Sequence, residues 1–217
     1  MFQTTAHTPV QSGESLAELA YRQIEEMIVT LSLEPGAIVN ERALTDITGM
    51  GRTPVREAVQ KLAWEGLMEI RPRSGIAIAE LNPQDFSKVL DAREGIERVL
   101  ARGAAQFGAQ LHHRRLREAS DAMSKAVSSE DVAGFLTADK TFDTVLGQAA
   151  GNPFAARLAS PLQTHSRRFW FRLQRPGGLQ QSVAAHKALI EAIINRNPER
   201  AEDAASKLIE HLRVLAP

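Results

Sequence analysis

From Ser15 onward the apolar residues Leu16, Leu19, Ala20, Ile24, Met27, Ile28 and Leu31 recur at steps of three and four. That period places them on one face of a helix. Ser15 and Glu18 have the spacing of a capping box at its start, and Pro35-Gly36 stops it. A short helix is predicted through Glu41 to Ile47, broken by Thr48-Gly49-Met50-Gly51, and a third from about Arg52 to Trp64. Pro54 is tolerated there because an N–H in the first turn has no intrahelical partner to lose. The pattern then changes. Leu67-Met68-Glu69-Ile70 and Gly75-Ile76-Ala77-Ile78 are short apolar stretches around the polar link Arg71-Pro72-Arg73-Ser74, which reads as a β-hairpin. Helix, helix, turn, helix and hairpin in this order predict a winged helix-turn-helix.

Beyond Leu81-Asn82-Pro83 the periodicity is helical, over 84–107, 112–127, 131–150, 153–173, 179–195 and 198–214. Breaks fall at Gly108, Ser128-Ser129, Gly151-Asn152, Pro176-Gly177-Gly178 and Asn197-Pro198. The expected fold class is mainly α: a winged helix-turn-helix with a small β-hairpin wing, then an all-α six-helix bundle. The expected organisation is a flexible segment over 1–14, the winged helix over 15–80 and the helical domain over 81–217.

Composition narrows the function classes. Of 217 residues, 43 % are apolar and 24 % charged, as in ordinary globular domains. No cysteine is present, which excludes a disulfide scaffold, a thiolate zinc site and a cysteine nucleophile. Met1 to Gly13 contain no apolar run, and no stretch approaches the ~18 consecutive apolar residues of a membrane span. A cytoplasmic protein with no membrane partner is expected. The net charge is zero, yet this is a cancellation. Residues 1–80 carry seven basic and eleven acidic side chains, a net of −4, and residues 81–217 carry nineteen and fifteen, a net of +4. Within 50–75, Arg52, Arg56, Lys61, Arg71 and Arg73 outnumber Glu57, Glu65 and Glu69, so positive charge is local to the third helix and the wing.

Pro35-Gly36, Asn40-Glu41-Arg42-Ala43-Leu44, the run from Gly49 to Val59 (Gly-Met-Gly-Arg-Thr-Pro-Val-Arg-Glu-Ala-Val), Leu62 and Glu65-Gly66-Leu67 closely resemble the DNA-binding domain of the GntR transcription factors. The resemblance covers Leu16 to about Ile78. It implies that Arg42, Arg52, Thr53, Arg56 and the wing residues Arg71, Arg73 and Gly75 contact double-stranded DNA. The residues are suited to this. Arg52 and Arg56 share a helical face, and arginine can both read guanine and clamp phosphate. The competing reading is a solvated arginine face paired with Glu57, Glu65 or Glu69. Val55, Ala58, Val59 and Leu62 are spaced to pack the third helix on the first, and Trp64 is expected to close the small core.

The remainder resembles the FadR-type effector domain of the same family, also called FCD, through Asp91-Ala92-Arg93-Glu94-Gly95-Ile96-Glu97, Asp139-Lys140-Thr141-Phe142-Asp143, Ala149-Ala150-Gly151-Asn152-Pro153 and the run from His186 to Ile193. Many such domains hold a divalent metal with one aspartate and three histidines. The resemblance places Asp139 and His186 at two of those positions. Asp143 stands where a histidine would, and the last ligand's spacing falls on Leu208, three residues before His211. A site of Asp139, Asp143, His186 and either His211 or His165 would leave zinc, nickel, manganese or iron open as the metal. The bland alternative is solvated carboxylates and a hydrogen-bonded histidine. Between Asp143 and Glu191 there is no acidic residue, whereas Arg157, Arg167, Arg168, Arg172, Arg175 and Lys187 all occur. Arg168 and Arg172, four apart, can engage an effector carboxylate, as can Arg93. Otherwise these arginines meet acids of neighbouring helices or of a dimer partner, while Phe169 and Trp170 fill the core.

The expected function is a ligand-responsive transcriptional regulator, more often a repressor in this family, and not an enzyme. It would bind a pseudo-palindromic operator as a homodimer, with a small carboxylate-type effector in the helical domain. The alternatives are a metal-dependent enzyme built on Asp139, Asp143 and His186, and an effector-free architectural DNA binder.

Overall fold

The computed structural model describes residues 15–175 and 177–216. The expectation for 1–14 lies outside the described residues. The chain divides into two compact units, with the break between Leu81 and Asn82.

In the first unit α1 spans Leu16–Val29. Its capping box forms as the spacing predicts: the Glu18 N–H donates to Ser15 Oγ at 3.1 Å, and the Ser15 N–H donates to Glu18 Oε2 at 3.0 Å. The helix ends at Val29 rather than Leu31, whose backbone is left-handed (φ 57°). α2 spans Glu41–Thr48, capped by Asn40 and closed by left-handed Gly49, and α3 spans Arg52–Trp64. The wing strands are β2 (Met68–Arg71) and β3 (Gly75–Ile78).

One strand escapes the sequence pattern. β1 is only Ile38–Val39, too short for alternation to register, and it pairs antiparallel with β3 to give the order β1-β3-β2. This crossing explains Gly75. Its φ is +106°, and a Cβ there would lie 2.8 Å from the Val39 carbonyl oxygen. Any side chain would push β1 off the wing.

Ile24 and Ile28 of α1, Leu44 of α2, Val55 and Leu62 of α3, and Leu67, Ile76 and Ile78 of the wing form the core. Trp64 is a correction. It is 82 % exposed rather than closing that core. It ends α3 one residue before Glu65 caps the helix, and the core is already filled by aliphatic side chains.

The second unit contains α4 (Asp85–Phe107), α5 (Gln110–Ser128), α6 (Val132–Ala149), α7 (Pro153–Leu173), α8 (Gly178–Ile194) and α9 (Pro198–Arg213). The fold class is thus mainly α, as the periodicity predicts. α5 begins two residues earlier than expected, because His112 Nδ1 accepts the Ala109 N–H at 3.1 Å and closes the helix start. α4 packs against α6, α7, α8 and α9. Gly103 permits the close approach of α4 to the end of α6: a Cβ there would come within 2.5 Å of the Ala150 carbonyl oxygen.

Leu62 is fully buried, so Leu62→Ala is expected to cost ~2–5 kcal/mol in urea denaturation. Trp64→Ala should change stability by less than ~0.5 kcal/mol. A large loss at Trp64 would show that the core extends over the end of α3.

Candidate functional site

α3 has neither a side-chain cap nor an acidic residue in its first turn, which leaves its positive end available to a phosphate. Arg52, Thr53 and Arg56 are all exposed there. Arg56 is engaged in the free protein: its Nε and Nη2 donate to Glu41 Oε1 and Oε2 at 3.0 and 2.9 Å. The pair is open to solvent, and such pairs are weak enough for a phosphate to replace. Arg42 is exposed, 4.0 Å from Asp46. In the wing, Arg71 donates to Glu69 Oε2, and Arg73 sits exposed at the turn with a left-handed backbone (φ 67°). The paired-arginine alternative therefore describes Arg71, while Glu65 instead accepts from the Tyr21 hydroxyl at 2.7 Å. Arg56's partner, Glu41, was not among the acids the spacing suggested.

The helical unit holds a buried polar cluster. Asp139 and Asp143 lie four apart on α6 and point the same way, and the guanidinium of Arg167 on α7 fits between them. Arg167 Nη1 donates to Asp143 Oδ2 at 2.5 Å and to Asp139 Oδ2 at 3.3 Å. Asp139 Oδ1 faces His186 Nε2 of α8 at 3.0 Å, and His186 Nδ1 meets the Ser182 carbonyl oxygen at 2.7 Å. A carbonyl only accepts, so Nδ1 carries a proton; an Nε2 proton is then needed for a hydrogen bond to the carboxylate. Burial alone would lower the His186 pKa, but the hydrogen bond and charge of Asp139 outweigh it and raise it.

The two carboxylates are driven apart. Burial opposes the charge on Asp139, yet His186 and Arg167 hold its pKa down at about 2. Burial together with the Asp139 charge pushes Asp143 up to about 7 in spite of Arg167. They behave as a coupled pair in which Asp139 is the permanent anion.

Behind them Arg93 of α4 is also buried. Its Nη2 donates to Glu97 Oε1 at 2.8 Å and its Nη1 to Ser166 Oγ at 2.8 Å, while Gln163 Nε2 donates to the same Glu97 oxygen. The other Glu97 oxygen is buried with no hydrogen-bond partner. Arg93, Asp139, Ser166, Arg167, Ser182 and His186 form the polar lining of a cleft whose apolar wall includes Phe135, Trp170 and Leu208. The cleft volume is about 20 Å³. That is on the order of one water, far below the ~300–1,000 Å³ of a ligand pocket.

Of the expected site residues, the structure brings together Asp139, Asp143, His186 and Arg93. It does not bring in the others. Arg168 is buried but is not part of the cleft lining, and Arg172 is exposed. His165 does not line the cleft, and His211 Nε2 lies 3.5 Å from Ser182 Oγ. Arg167, rather than Arg168, is the cation that faces the acids. Helix phase alone does not single it out, because Arg167 and Arg168 are both buried on α7.

Residues 88–211 match the FCD domain family, and residues 16–78 match the family of bacterial regulatory proteins named gntR. The chain belongs to the GntR family and carries an FCD domain. Over 138 residues it is 33 % identical to an HTH-type transcriptional regulator from the TAR-I ttuE-ttuC' intergenic region of Agrobacterium vitis, which covers 62 % of this chain and 81 % of that protein. It is 28 % identical over 182 residues to the "Probable D-xylose utilization operon transcriptional repressor" of Paenarthrobacter nicotinovorans, covering 84 % of this chain and 79 % of that one. The solved structure of McbR/YncC of E. coli shares the fold, with a TM-score of 0.80 at 16 % identity over 93 % of this chain and 97 % of the other.

FCD domains of GntR regulators can bind metals, and the donor set here does not fit one. Arg167 occupies the gap between the two carboxylates, His186 Nε2 is engaged by Asp139, and Leu208 lines the cleft at the spacing of the last ligand. Among the described residues no three His, Asp or Glu side chains are placed to hold a metal ion. This arrangement lends no support to a ligand set of Asp139, Asp143, His186 and His211. Both carboxylates are paired with Arg167.

Removing one member of a buried ion pair leaves an uncompensated charge. Arg167→Ala is expected to destabilise the helical unit by ~3–5 kcal/mol in urea denaturation. Exposed Arg172→Ala should stay within ~0.5 kcal/mol. Equal effects at the two positions would contradict the placement of Arg167.

Proposed function

We propose that this GntR-family transcriptional regulator is a repressor that binds a pseudo-palindromic operator as a homodimer, one winged helix per half-site, in the cytoplasm. A small carboxylate-bearing metabolite in the helical domain would tune its DNA affinity. The observation that carries the proposal is the first two turns of α3, where Arg52, Thr53 and Arg56 stand exposed on an uncapped helix start. An arginine here can approach guanine edges or phosphate. Arg42, Arg71, Arg73 and Gly75 complete the proposed contact surface, Gly75 by letting the wing backbone pass close to β1. Repression is supported by the name of the Paenarthrobacter relative, which is called a repressor.

For the effector, the support is the cationic lining of Arg93, Arg167 and His186 beside an apolar wall. A carboxylate would compete with Glu97 and Asp139 for those donors. The cleft must open to admit it, and opening is the differential step through which a ligand shifts a two-state equilibrium. Its closed state favours one second reading, a helical domain without effector. The enzyme alternative draws no support from Asp139, Asp143 and His186, because each is already held by another side chain.

The test uses a duplex selected from a random pool by the wild-type protein. Arg52→Ala and Arg56→Ala are each expected to weaken binding roughly 5- to 150-fold in a gel shift. Wild-type affinity should fall steeply and linearly on a log–log plot against salt. Unchanged affinity in both variants, or a flat salt titration, would overturn the assignment of α3.

A further inference from the structure

The cluster around Arg167 holds its acids in a way that changes what this FCD domain needs. Four side chains carry this reading. Asp139 and Asp143 offer two carboxylate oxygens to the interior, and both accept from one nitrogen, Arg167 Nη1. His186 is oriented by the Ser182 carbonyl, as a metal-binding imidazole is oriented by its second hydrogen bond, yet its other nitrogen meets Asp139 instead of open space. Leu208 presents a hydrocarbon to the same cleft. The geometry therefore supplies positive charge to the carboxylates from within the chain.

We propose that Arg167 is a resident cation at the carboxylate and imidazole positions that hold the divalent ion in metal-binding FCD domains, so that this helical domain works without a metal. An incoming ion would have to displace a buried guanidinium that is held by Asp139, Asp143 and Thr164. It would also have to take Asp139 from both His186 and Arg167. The fixed guanidinium does part of what an ion does: it neutralises the acids and ties α6 to α7. It differs in having no vacant coordination position. A ligand carboxylate can approach it only by hydrogen bonding, not by direct coordination. The proposal rests on the family assignment and the cluster geometry. It does not depend on the effector or operator readings, so operator binding can succeed or fail without touching it.

The test is metal content and metal response of the full chain. Wild-type protein expressed with added zinc, manganese and nickel is expected to carry far less than one equivalent by plasma mass spectrometry. After chelator treatment its melting temperature should not respond to any of the three ions. The variant Asp143→His/Arg167→Ala/Leu208→His restores one aspartate and three histidines, and is expected to take one equivalent and to melt at higher temperature as ion is added. If that variant does not fold, the wild-type measurement decides alone. One tightly held equivalent on the wild type, placed at Asp139 and His186 by anomalous scattering, overturns the proposal. A folded variant that ignores all three ions overturns it too, because Arg167 would then not be what excludes the metal.

Discussion

Two carboxylates one turn apart on a buried helix face oppose each other's charge, and the Arg167 guanidinium lies between them. The constraint is geometric before it is energetic. A guanidinium at 2.5 and 3.3 Å from two acids of α6 fixes how α7 is rotated against α6. Ser166, one residue earlier, then reaches Arg93 of α4, and Gln163 reaches Glu97. Through His186 the same network takes hold of α8. Four helices thus meet at one set of charges, while stacked Phe86 and Phe169 and tilted Phe135 and Trp170 fill the space around it. Buried ion pairs are weak evidence of net stability, because desolvation offsets the attraction. Their strict geometry does discriminate between helix rotations that a purely apolar interface would tolerate.

The elements of the fold were legible because the chain punctuates them locally. Ser15, Asn40, Asn152 and Asn197 each cap a helix start with a side-chain oxygen, and Gly49 closes α2 in the left-handed region. What escaped was set by tertiary contact. β1 exists because two residues find β3 across the wing, which no alternation over two positions can announce. Trp64 looked like a core residue by type, but aliphatic side chains had already filled the volume. At the buried cluster, Asp139, Asp143 and His186 were legible as a group with one chemistry. The spacing could not tell whether a metal or a side chain would answer their charge. Arg167 and Arg168 differ by a single residue in sequence and by about 100° around the helix, and only the packing of α7 decides which one faces α6.

The charge distribution has a matching logic. The winged-helix unit is the acidic half of a neutral chain, and five of its seven basic residues lie in α3 and the wing. Glu41 and Glu69 hold Arg56 and Arg71 in place in the free protein, which presents each guanidinium in a defined position. On the proposed contact surface, DNA phosphate would compete with those carboxylates. An acidic surround of this kind weakens non-specific attraction and favours sites where several contacts are made at once. In the helical unit the same residue types are turned inward, where they organise a core rather than a surface.

The dependence of the helical unit on Arg167 is most directly measured by a double-mutant cycle. Arg167→Ala, Asp139→Ala and the double variant would be compared by urea denaturation of the full chain, following the helical unit. The account predicts a coupling of about 1–3 kcal/mol, so that the double variant is less destabilised than the sum of the singles. Simple additivity would show that the guanidinium and the carboxylate do not depend on each other, and would contradict the charge network on which this account rests.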